Sequence, residues 1–172
     1  MQIAETYQFV AFIEESNNKL WGAHFAVPDF VFNALSDGED RRVVCVLNEK
    51  TEYQCAMLPR GDGSFLITVN KKIRDQLKLK IGSQVQVNLH KDRSEYGLPM
   101  PEEFAEVLAQ DHEGSRLFHA LTPGKLRTLL YIVGNVKNTE KRILRALAIV
   151  EHLKMNSGKI DYKQLNTALK DN

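Results

Sequence analysis

The feature that most constrains this chain is a repeat. At a spacing of 42 residues, Phe25 matches Ile67, Val27 matches Val69, Val31 matches Ile73 and Leu35 matches Leu77. The same spacing carries Val43 onto Val85, Cys45 onto Val87 and Leu47 onto Leu89, without a gap. The segments involved read as strand, short helix and strand, so the pattern is that of an internal duplication. A unit of that size cannot close a core alone. Two copies related by a pseudo-two-fold, with the strands around Tyr7 and Tyr53 filling the gaps, are expected to make a small closed barrel.

The strands themselves are read from β-branched and aromatic alternation over 7–13, 21–27, 42–47, 51–58, 64–69 and 84–89. Val43, Cys45 and Leu47, and then Tyr53, Cys55 and Met57, keep one parity and so face one core. Segments 29–35 and 71–77 read as short helices, with Pro28 at the first helical position of one and Asn70 at the N-cap of the other.

Pro99-Met-Pro101 ends this region, because two closely spaced prolines favour an extended linker. The expected domains are a duplicated β-barrel over 1–98 and a helical segment over 99–172, giving an α+β chain. Beyond the prolines the apolar period becomes helical over 102–110, 115–121 and 123–134, the last with Leu126, Leu129, Leu130 and Val133 inward. The longest helix follows an Asn138 or Thr139 cap and stops near Asn156-Ser-Gly158. Its inward face is expected to hold Ile143, Ala146, Leu147, Val150 and Leu153. Asp161 with Gln164, and Ile160 with Leu165, read as the capping box and staple of a final helix.

Charge enters the argument only through its distribution. The 172 residues carry 23 Lys and Arg against 22 Asp and Glu, which excludes a polycation. Net charge runs −4 over 1–50, +3 over 51–99, −4 over 100–121 and +6 over 122–172, so the basic surplus lies on the last helices. Two cysteines make no disulfide scaffold, and Cys45 and Cys55 are expected to be inert buried thiols. The longest near-apolar run, 144–150, is interrupted by Arg145 and too short to span a bilayer, and no basic leader opens the chain. A cytoplasmic protein without a membrane segment is expected.

No catalytic motif stands out. Ser16-Asn-Asn-Lys19 fits an S-x-x-K pattern without the companion motifs that would give it meaning. The five histidines form no ligand pair at helical or strand spacing, so no metal site and no cofactor are expected. Lys141, Arg142 and Arg145 fall within one arc of about 100° on a helical wheel, with Lys137 just upstream. Such a group at a helix start is suited to phosphate or carboxylate, unless it is spent on a solvated face or on the acidic residues Glu102, Glu103 and Glu106. A second expected site is a pocket near Trp21, His24 and Asp92, where Asp92 reads first as a strand-ending or locally paired carboxylate.

The run Trp21-Gly-Ala-His-Phe-Ala-Val-Pro28 is followed by Arg42-Val-Val-Cys-Val-Leu-Asn48, Gly63-Ser-Phe-Leu-Ile-Thr-Val-Asn-Lys-Lys-Ile-Arg74 and Leu79-Lys-Ile-Gly-Ser-Gln-Val-Gln-Val-Asn-Leu89. Together these resemble a bacterial domain of unknown function that precedes a YdeI/OmpD-associated, bacteriocin-protection-like segment. Leu121-Thr-Pro onward through Lys141-Arg-Ile143 to Leu153 is similar to that second segment. Tyr131-Ile132, Asn135-Val136-Lys137 and Asn138-Thr139 keep only part of its motif. The resemblance implies a double-split barrel, the architecture of AbrB- and MazE-like proteins, with both halves in one chain. It does not imply DNA binding.

Two functions follow as expectations. One is a non-catalytic binding or interaction module whose basic helical surface meets an anionic ligand, nucleic acid or an acidic protein. The other is a small-molecule enzyme or sensor with a pocket between barrel and helices.

Overall fold

The computed structural model describes residues 5–16 and 21–170. Eight strands come first: β1 (Tyr7–Phe12), β2 (Glu14–Glu15), β3 (Ala23–Val27), β4 (Arg42–Leu47), β5 (Thr51–Ala56), β6 (Leu58–Pro59), β7 (Phe65–Thr68) and β8 (Gln84–Lys91). Helices α1 (Asp29–Leu35) and α2 (Lys71–Leu77) lie between them. Asn70 caps α2, its side chain accepting from the Ile73 N–H at 2.9 Å, whereas Pro28 precedes α1 as the N-cap residue. Along β4 and β8 burial alternates, and Val43, Cys45, Leu47, Val85, Val87 and Leu89 all enter one core.

The ladders do not describe a single closed barrel. They form two four-stranded antiparallel sheets, in the orders β1-β8-β4-β5 and β2-β3-β7-β6. The reason is that two chain segments bend from one sheet into the other. Ile13 alone separates β1 from β2, and Met57 alone separates β5 from β6; both are buried. Each bend is held the same way. The Ile13 N–H donates to the Ser83 carbonyl and the Met57 N–H to the Arg41 carbonyl, both at 2.9 Å.

The repeat is written into the strand register. Phe25 lies opposite Ile67 in the β3–β7 pair, and Val46 lies opposite Asn88 in the β4–β8 pair. Each of these pairs is a residue facing its own equivalent 42 positions on, as a two-fold axis between the copies requires. The outer strands belong to the repeat as well and are not fillers. Tyr7 pairs with Leu89 and Thr51 with Leu47, so β1 and β2 map onto β5 and β6 with an offset of 44. Phe9 then falls on Tyr53, Ala11 on Cys55 and Ile13 on Met57.

A second core forms after Arg93. The chain divides into compact units over 1–93 and 94–172, a few residues before Pro99, because Tyr96, Leu98 and Met100 pack on the helical core. That core is built from α3 (Glu102–Gln110), α4 (His112–His119), α5 (Pro123–Gly134), α6 (Thr139–Met155) and α7 (Tyr162–Lys170). Helix α4 starts earlier than its apolar pattern suggests, because the Asp111 side chain caps it by accepting from the Gly114 N–H at 2.8 Å. Phe104 and Phe118 meet edge-on at 5.0 Å between ring centres. Helix α6 is surrounded by α3, α4, α5 and α7, and it buries Ala146, Ile149, Val150 and Leu153. Ile143 and Leu147, expected inside, are 40% and 49% exposed. The helix has more apolar residues than one face can hold, and its neighbours select the 146, 149, 150, 153 stripe. Among the described residues no helix is long and apolar enough to cross a membrane.

Two consequences are measurable. A Cβ at Gly114 would collide with Val150 Cγ1, so Gly114→Ala should destabilise the helical unit by about 1–3 kcal/mol, the usual range for overpacking. A shift of the urea midpoint at unchanged slope reads this. The second concerns His152, which is buried and whose Nε2 accepts the Asp161 N–H at 3.0 Å at the start of α7. Burial lowers its pKa, partly offset by the Asp161 carboxylate. A histidine with a lowered folded pKa contributes stability that is complete above its unfolded value of about 6.5 and is lost as pH falls through the lower folded value. Urea midpoints measured from pH 7.5 down to 5 should fall more steeply for the native chain than for His152→Asn. The carboxylates Asp111 and Glu113, held low by Lys154 and Arg116 respectively, titrate below that window.

Candidate functional site

Of the four basic residues expected to form an anion site, two are used by the fold itself. Arg142 Nη1 lies 3.4 Å from Glu103 Oε2, with both side chains mostly covered at 28% and 13% exposure. Arg145 Nη1 donates to the Ile132 carbonyl at 2.8 Å, tying α6 to the last turn of α5. Lys137 and Lys141 remain exposed. Asn138 caps α6 by accepting from the Lys141 backbone N–H at 3.0 Å. Of the three residues on the arc, Arg142 and Arg145 are turned toward neighbouring helices and only Lys141 is left exposed.

These roles separate in a stability measurement. Arg142→Met leaves Glu103 as a mostly covered carboxylate without its cation, and should cost about 1–2 kcal/mol. Lys141→Met removes an exposed charge and should change stability by less than about 0.5 kcal/mol. Equal losses from chemical denaturation of the two variants would contradict this assignment.

The second expected site is partly assembled. Trp21 and His24 line one cleft of about 320 Å³ in the β2-β3-β7-β6 sheet. Its wall is completed by Glu14, Glu15 and Ser16 from β2 and its exit, and by Arg60 and Asp62 from the turn after β6. Leu66 of β7 forms part of the base. Asp92 is not among these residues. It follows β8 in the other sheet, where it is buried and its Oδ2 accepts from Gln54 Nε2 at 3.0 Å, a local pairing at a strand end. Lys19 of the S-x-x-K pattern lies outside the described residues.

His24 is placed by the repeat. Phe25 and Val27, and Ile67 across from Phe25, point into the core, so His24 and Leu66 occupy the opposite face of the same two strands. His24 is only 2% exposed. Its Nδ1 lies 2.9 Å from the Gly22 carbonyl, and a carbonyl can only accept, so the proton of a neutral ring sits on Nδ1. Nε2 then carries a lone pair, is buried, and has no hydrogen-bond partner among the described residues. Gly22 supplies that carbonyl from a left-handed conformation, φ +62°, which other side chains adopt at a cost of about 1–2 kcal/mol. Around the ring the charges are ordered. Arg60 lies 3.4 Å from Glu14, and the Ser64 hydroxyl and N–H hold the Asp62 carboxyl below the usual carboxylate range.

The thiols sit in the core of the same unit. Cys45 is buried and Cys55 partly so, and neither forms a disulfide. A hydrogen bond with Cys45 and burial push the Cys55 thiol well up, away from the thiolate form that reacts. Tyr53 donates to the Thr68 carbonyl at 3.1 Å, and burial raises its phenol far above the ordinary value. Among the described residues no group of three His, Cys, Asp or Glu is placed to hold a metal ion.

A duplicated antiparallel β-unit followed by a helical unit is the class these observations define. Residues 9–89 match the family described as a domain of unknown function, DUF1905. Residues 98–156 match the family described as bacteriocin-protection, YdeI or OmpD-associated. The chain is therefore a DUF1905 domain joined to a YdeI/OmpD-associated domain. The curated proteins gave no match.

Proposed function

We propose that this chain is a non-catalytic binding protein and that its ligand is held in the Trp21–His24 cleft. The observation that supports this most is the buried Nε2 of His24, which has no hydrogen-bond partner among the described residues. Leaving a buried acceptor unsatisfied costs about 1–3 kcal/mol, and a ligand that donates to it recovers that cost. The cleft, at about 320 Å³, lies at the lower end of the usual range for ligand sites of about 300–1,000 Å³, and among the described residues its lining is mostly polar and charged around Trp21 and Leu66. Of its residues, Glu14, Glu15, His24 and Leu66 are held by the pairing of β2, β3 and β7, and Ser16, Trp21, Arg60 and Asp62 lie in the segments that flank those strands.

The finer architecture belongs to the same reading. The paired bends at Ile13 and Met57 and the register about Phe25–Ile67 and Val46–Asn88 support a double-split barrel of the AbrB- and MazE-like type. In that reading one chain holds both halves, and the face used for ligand lies outside the shared core.

Trp21 is the only tryptophan in the chain, so its emission reports on the cleft alone. A fragment library screened by Trp21 fluorescence and by amide NMR should give saturable shifts confined to Glu14–Glu15, His24 and the turn containing Arg60 and Asp62. The rival reading places an anion or nucleic acid on Lys137 and Lys141. It requires shifts at the start of α6 that vanish with salt and with Lys137→Ala/Lys141→Ala, and that result would displace the cleft.

A further inference from the structure

We infer that the cleft selects an organic cation carrying N–H donors, of the guanidinium or alkylammonium class. The inference rests on the cleft being the binding site and adds the chemistry of what enters it. Three independent features agree. The first is charge: among the described residues, Glu14, Glu15 and Asp62 bring three carboxylates against the one guanidinium of Arg60. Arg60 is already paired with Glu14, so Glu15 and Asp62 supply the excess. An anion entering here would meet a field of its own sign.

The second feature is hydrogen-bond polarity. With its proton on Nδ1, facing the Gly22 carbonyl at 2.9 Å, His24 offers only an acceptor at Nε2. Carboxylates likewise offer only acceptors. A ligand that satisfies the set must therefore be rich in donors. The third is Trp21, half-buried at the rim. A tryptophan face attracts a cation within about 6 Å, by about 0.5–1 kcal/mol at exposed sites and more when water is excluded.

No one of these features distinguishes a ligand class alone. An acidic group by itself is common on protein surfaces, and an aromatic rim takes any flat molecule. The buried acceptor gives the set its direction, because it selects donors from within the fold, where water does not compete.

The test uses the full chain and three small probes that differ in one property each. Butylguanidinium is a cation with donors, butylurea keeps the shape and most donors without charge, and butyltrimethylammonium keeps the chain and the charge without donors. Trp21 emission and amide shifts should saturate with butylguanidinium at concentrations at least tenfold lower than with either of the others. Glu15→Gln and Asp62→Asn alter exposed side chains and leave the fold intact; each should weaken that binding about three- to fivefold. His24→Leu should weaken it by at least about tenfold, and should the buried substitution unfold the unit, the two exposed variants decide the matter. Equal saturation by butylurea, or tighter saturation by acetate or phosphate, overturns the cation assignment while leaving the cleft as the site. No saturable response to butylguanidinium also overturns it. The cleft itself fails when fragments of every charge leave Trp21 and its neighbouring amides unmoved.

Discussion

The antiparallel pairing of each half of the repeat with its own equivalent is the interaction on which the β-unit depends. Phe25 against Ile67 and Val46 against Asn88 fix the two copies in register. A slip of one residue would turn every core side chain of β3 or β4 toward solvent. From those two pairs the rest follows. The buried stripes of β4 and β8 face one core, the segments through Ile13 and Met57 must bend to reach the second sheet, and the face of β3 and β7 left over becomes the floor of a cleft. Neither half has an independent core, so the pairing is at once the source of stability and the means by which the site is built.

Much of this was legible in the chain. The 42-residue spacing, the limits of α1, α2, α3 and α5, the Asn70 cap, Asn138 as one of the two caps open to α6 alongside Thr139, and the Asp161 cap, whose side chain accepts from the Gln164 N–H, all rest on local chemistry that the sequence displays. The equivalence of β1 with β5 escapes a comparison at constant spacing because two additional residues between β2 and β3 change the offset from 42 to 44. The signal was present in Phe9 and Tyr53, Ala11 and Cys55, and Ile13 and Met57. The closed barrel was overstated for a related reason: periodicity shows which residues face a core, but it does not show which strands exchange hydrogen bonds at a bend.

The site was legible only in part, because a wheel or a motif shows where a side chain starts and not where it ends. Arg142 and Arg145 lie on the expected arc, yet Glu103 and the Ile132 carbonyl claim them. Asp92 and His24 are both buried, but strand pairing puts them in different sheets. Trp21 and His24 were near each other in sequence and stayed so in space. Arg60 and Asp62 could be joined to them only by tertiary pairing of β6 with β7 and β7 with β3, a relation between residues far apart in the chain.

The two-fold between the halves has a consequence for how such a pocket can evolve. A protein assembled from two identical half-chains must present each surface residue twice, so a pocket across its axis has matching sides. Here the position 42 residues beyond His24 is Leu66, and the positions 44 beyond Glu14 and Glu15 are Leu58 and Pro59. His24 and Leu66 share one cleft with different chemistries. Carrying both copies in one polypeptide permits that asymmetry, with Glu14, Glu15 and His24 coming from one copy and Arg60, Asp62 and Leu66 from the other.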